Sequence, residues 1–130
     1  MRTVFMTLII LASPTWAQTP ISASDFDEYA TGKTITYGKL NGPYGQEQYL
    51  DGRRVRWSLE NGECIAGTWY EKDDQICFEY ETDTGPQCWI FFLSGHGLWA
   101  RYVSDPSASV VYERSSSTDP LFCPGPKVGS

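Results

Sequence analysis

From position 33 to position 114 the chain alternates apolar and polar residues, and turn-forming residues interrupt it roughly every eight to twelve positions. That period predicts eight short strands, at 33–37, 44–50, 53–59, 63–70, 75–81, 87–93, 98–103 and 110–114. Asp51-Gly52 and Asn61-Gly62 supply the positive φ of tight hairpins, and Gly95-His96 fits a two-residue turn with glycine first. Upstream the pattern is helical and brief. Ser22 or Ser24 caps an expected helix near 24–30, with acids in its first turn, and Gly32 ends it.

Alternation also assigns faces. Val55, Trp57 and Leu59 share one side, as do Ile65, Gly67 and Trp69, and Ile76, Phe78 and Tyr80. With Tyr70 opposite Gln75, Phe78 opposite Trp89 and Leu93 opposite Leu98, the apolar sides of four successive strands coincide, as burial requires. The expected fold is therefore all-β: an antiparallel meander of about eight strands, closed or nearly closed into a small barrel, with one short N-terminal helix. Closure removes exposed strand edges.

The ends read differently. Arg2, an apolar run from Val4 to Ala12, and Ala17 after Pro14 have the three parts of a signal peptide, so residues 1–17 are expected to be cleaved before Gln18. The run is too short to span a bilayer, which takes about 20 apolar residues; Pro14 speaks against a buried helix. Residues 18–114 form one expected domain. Residues 115–130, rich in Ser, Pro and Gly, read as an extended strap outside any regular element.

The net charge is −6 over the whole chain, and one unit more negative without Arg2. Phosphate backbones and anionic lipid repel such a chain, which argues against a nucleic-acid partner. An even set of cysteines in an exported chain, Cys64, Cys77, Cys88 and Cys123, reads as two disulfides. Zinc would want short Cys-x₂₋₄-Cys pairs, which are missing, and His96 is the only histidine.

Candidate chemistry is sparse. His96 lies between two glycines at a hairpin tip, and no nucleophile elbow or phosphate loop occurs. Glu71, Asp73, Asp74, Glu79, Glu81 and Asp83 are expected near one end of adjacent hairpins, where a carboxylate pair could serve a hydrolase. Most of them fall at turns or outward positions. No catalytic residue, metal site or cofactor is assigned. Aromatics are more informative: Trp57, Trp69 and Trp89 fall on the apolar side, whereas Trp99 falls on the other, with Ile90, Phe92 and Val103. These four make a second apolar face, expected to be covered by Phe26 and Tyr29 of the helix or by a partner.

Gly67-Thr68-Trp69, Ile76-Cys77-Phe78 and Cys88-Trp89, following Ala30-x-Gly32-Lys33-Thr34 and Asp51-Gly52, resemble a family of small secreted proteobacterial proteins of unknown function, over roughly residues 22–100. The resemblance implies an exported β domain with a Cys77–Cys88 link. A looser architectural likeness is to small periplasmic inhibitors of bacterial metalloproteases. The expected register agrees with that link. Cys64 would stand about 13 Å along the strand from the partner of Cys77, and an entire strand away from Cys88, both beyond the ~7 Å that a disulfide tolerates. Cys77 and Cys88 fall on paired strands, two residues out of opposition, which leaves Cys64 for Cys123. The functions this reading admits are a non-enzymatic interaction or envelope module with a protein partner on the Trp99 face, a barrel binding a small apolar molecule or sugar, and a carboxylate-based hydrolase.

Overall fold

A computed structural model describes residues 9–11, 18–59, 62–82 and 85–124. Most of the expected signal segment, residues 1–17, and the end of the strap, residues 125–130, lie outside the described residues, as does Asp83. The architecture is a closed antiparallel barrel of eight strands in chain order, preceded by a short helix. The helix, α1, is Ala23–Ala30; the strands are β1 Thr34–Lys39, β2 Gly42–Leu50, β3 Arg54–Leu59, β4 Ile65–Lys72, β5 Gln75–Tyr80, β6 Gln87–Ser94, β7 Gly97–Tyr102 and β8 Val111–Ser117. Pairing of β1 with β8 completes the ring.

Hairpin turns fix which side chains enter the barrel. Between β2 and β3 the turn takes three residues, Asp51–Arg53, with Gly52 and Arg53 both at positive φ. Leu50 therefore stands opposite Arg54, and Glu47 opposite Trp57. The expected tight turn at Asp51-Gly52 is one residue too short. Between β4 and β5 the turn is only Asp73-Asp74, both at positive φ, so Lys72 rather than Tyr70 faces Gln75. Two residues of slip preserve the faces, and Trp69 meets Phe78. The β5–β6 pairing slips by two as well. Cys77 lies directly opposite Cys88, not offset from it, with a Cα separation of 4.0 Å in their disulfide. Leu93 stands opposite Leu98 around the Gly95-His96 turn.

The tail is more regular than its composition indicates. Ser115, Ser116 and Ser117 belong to β8, pair with Thr36, Ile35 and Thr34, and are all exposed. The strap begins only beyond them. There the Thr34 hydroxyl donates to the Asp119 carbonyl at 2.7 Å, Leu121 is buried, and Cys123 is bonded to Cys64 with a Cα separation of 5.3 Å. It crosses the outside of β1 and β2, where Leu121 N–H donates to Gln48.

One end of the barrel is stoppered by α1. Ser22 caps the helix by accepting from Asp25 N–H at 3.1 Å, and Glu71 accepts from Ala23 N–H at 3.2 Å. Tyr29 donates to Glu113, whose carboxylate also accepts from Leu98 N–H. Burial, then that hydrogen bond, pushes the Tyr29 hydroxyl up to about 12. Phe26 is the stopper itself: 0 % exposed, its ring lies edge-on to Tyr49 and Trp69 and against Phe91. Just upstream, Ile21 N–H donates to the Phe91 carbonyl, so this segment runs beside β6 past the start of β5 and covers its edge. Replacing Phe26 by Ala should lower unfolding stability by about 3–5 kcal/mol, measured by denaturant titration. A loss under about 1 kcal/mol would mean that the helix does not hold the barrel end.

Candidate functional site

Beyond Phe26, toward the opposite end, the interior widens into a cavity of about 250 Å³. Phe91, Tyr49 and Tyr37 form its floor toward α1, Trp57, Ile65, Phe78, Tyr80, Trp89 and Val111 its walls, and Tyr44, Gln87 and the exposed Thr82 its outer side. Two inward glycines make room for this lining. A Cβ on Gly45 would stand 2.6 Å from the Trp57 ring, and one on Gly67 would stand 2.7 Å from the Tyr80 ring. Eight strands enclose a space that side chains just fill or that admits one small ligand.

The chemistry in this space centres on Glu47, which is 2 % exposed. Its Oε1 accepts a hydrogen bond of 2.8 Å from the Tyr80 hydroxyl. Its Oε2 is buried and has no hydrogen-bond partner among the described residues. Burial holds the Glu47 carboxyl well above its ordinary range, and the Tyr80 hydrogen bond only partly opposes that. The Tyr37 and Tyr49 hydroxyls share a hydrogen bond of 2.8 Å. Tyr37, Tyr49 and Tyr80 are all held far above the usual phenol range, by burial first and with the Glu47 charge adding to it. Tyr44 is raised by burial, then by the charges of Tyr102 and Glu47. A carboxyl kept in an apolar, tyrosine-rich interior is costly unless something satisfies it.

The residues singled out from the sequence fall elsewhere. Of Ile90, Phe92, Trp99 and Val103, Phe92 on β6 and Trp99 on β7 stand opposite each other and stack, whereas Ile90 stands opposite Arg101 and Val103 bonds to the Cys88 carbonyl. α1 does not cover them, because Phe26 points into the barrel and Tyr29 reaches Glu113. Phe92, 5 % exposed, is shielded instead by the Trp99 ring stacked on it at 4.1 Å and by the Arg101 guanidinium 5.8 Å from its centroid. Trp99 Nε1 donates to Gln18 at 3.2 Å. The acids are not gathered at one end: Glu71, Asp73 and Asp74 flank the β4–β5 turn beside α1, whereas Glu79 and Glu81 lie toward the other end of β5. Among the described residues no group of three or more His, Cys, Asp or Glu is placed to hold a metal ion.

Alternation places Tyr80 on the inward side, but Glu47, Tyr37 and Tyr49 escaped the sequence reading. Their signal was the alternation Gly45, Glu47, Tyr49, readable only once the turn after Leu50 is known to take three residues. No family model, curated protein or solved structure matches the chain. The two disulfides suit an oxidising compartment, and among the described residues no helix is long and apolar enough to cross a membrane.

The raised carboxyl makes stability pH-dependent with a definite sign. Glu47 binds its proton more tightly folded than unfolded, so its contribution is fully present below the ordinary value of 4.5 and is lost as pH rises toward the folded value. Wild type should therefore lose stability relative to Glu47→Gln as pH rises from about 4.5 to 8, followed by thermal unfolding of both proteins. Parallel curves for the two would show that Glu47 is not held in an apolar interior.

Proposed function

We propose that the protein is an exported, non-enzymatic binding barrel that takes one small, largely apolar molecule into its interior from the end opposite α1. The observation carrying this reading is the cavity of about 250 Å³ lined in part by Glu47, whose buried Oε2 has no hydrogen-bond partner among the described residues. Binding sites combine apolar and aromatic walls with a few polar groups that fix orientation, and Glu47, the tyrosine hydroxyls and Gln87 are such groups here. Binding is favoured over hydrolysis because Glu47 is the single carboxylate among the described lining residues, and glycosidic chemistry uses two, about 5–9.5 Å apart. Export fits the disulfides and the expected signal segment. The outer Trp99 face supports a second reading, a protein-binding module, since Tyr112, beside Trp99 on the next strand, is 41 % exposed.

The two readings separate in one titration. Indole added to ¹⁵N-labelled protein should shift the side-chain N–H signals of Trp57 and Trp89 and leave that of Trp99 in place. Shifts at Trp99 alone would move the binding surface to the outside of the barrel. No shift at any tryptophan up to about millimolar indole, a weak-binding limit of some 4 kcal/mol, would remove the interior site.

A further inference from the structure

On the reading that the barrel interior is a ligand site, its lining also selects the ligand's charge. We infer that the ligand is a small protonated amine with a flat apolar body, its ammonium meeting Glu47 Oε2 and its body lying against Trp57, Trp89 and Phe78. Tyr80 already donates to Oε1, Oε2 has no hydrogen-bond partner among the described residues, and Glu47 is one of the residues lining the cavity; an ammonium brought to this carboxyl favours the ionised form that burial alone disfavours. No Lys, Arg or His is among the described lining residues, so a cationic ligand meets no like charge inside. The walls act in the same direction, because aromatic faces carry negative potential and attract cations. Tyr44, packed 5.2 Å from Trp57, already has the Lys39 ammonium 4.5 Å from its ring centroid. An anionic ligand would instead meet Glu47 with four tyrosine hydroxyls around it, all difficult to ionise. The net charge of −6 favours approach of cations over anions. The volume suits one ring, or a fused pair, with a short amine arm.

A matched set of probes tests this on the intact protein: phenethylamine, phenethyl alcohol and phenylacetate, titrated calorimetrically at neutral pH. The amine should bind at least about tenfold more tightly than the alcohol, with phenylacetate weakest. In Glu47→Gln the amine's advantage over the alcohol should disappear. An alcohol that binds wild type as tightly as the amine overturns the inference and leaves the interior site standing. An amine preference that survives in Glu47→Gln overturns the role given to Glu47. Failure of all three probes, together with unmoved Trp57 and Trp89 signals in indole, removes the site itself. The wild-type series decides the charge preference even if the variant does not fold.

Discussion

The interior of an eight-stranded barrel has to be filled or lined, and Phe26 determines how that space is divided. It comes from a helix of only eight residues, which would be marginal in isolation. What holds α1 is tertiary: Glu71 at its first turn, Glu113 at Tyr29, and Phe26 inserted among Tyr49, Trp69 and Phe91. With that end stoppered, the remaining volume lies toward the opposite end. The large rings there line a space instead of meeting across it.

Within this frame a single turn sets the chemistry. Strand faces alternate with period two, so one residue more or less in a hairpin exchanges inside for outside. Had Asp51-Gly52 made a two-residue turn, Gln46 would stand opposite Trp57 and Glu47 would be on the surface. The third turn residue, Arg53 at φ 57°, reverses this and carries Glu47 inward with Tyr49. An acidic side chain is thereby committed to a position where burial favours its neutral form, with one oxygen satisfied by Tyr80.

The barrel was legible in the sequence because β4 to β7 alternate cleanly, and errors of two residues in register leave faces unchanged. Trp69, Phe78, Phe91 and Leu98 are accordingly buried together. β2 was not legible in the same way. Its apolar residues, Tyr44, Tyr49 and Leu50, fall on both parities, so only the turn could assign its faces, and a three-residue turn containing Arg at positive φ has no strong sequence signature. The outer face of Phe92 and Trp99 was legible from alternation, but its cover was not: a stacked indole and a guanidinium lie over Phe92, and Gln18 upstream of α1 reaches Trp99. The last strand ran past its expected end for a related reason: serines that look like linker also pair well at the rim of a closed sheet.

Whether the Glu47 carboxyl is buried inside the barrel is read from its own titration. Following the side-chain carboxyl carbons of ¹³C-labelled glutamates by NMR should show one that titrates far above the rest, and that signal should be missing from Glu47→Gln. Glutamates that all titrate together in the ordinary range near 4.5 would place Glu47 in water, outside an apolar interior.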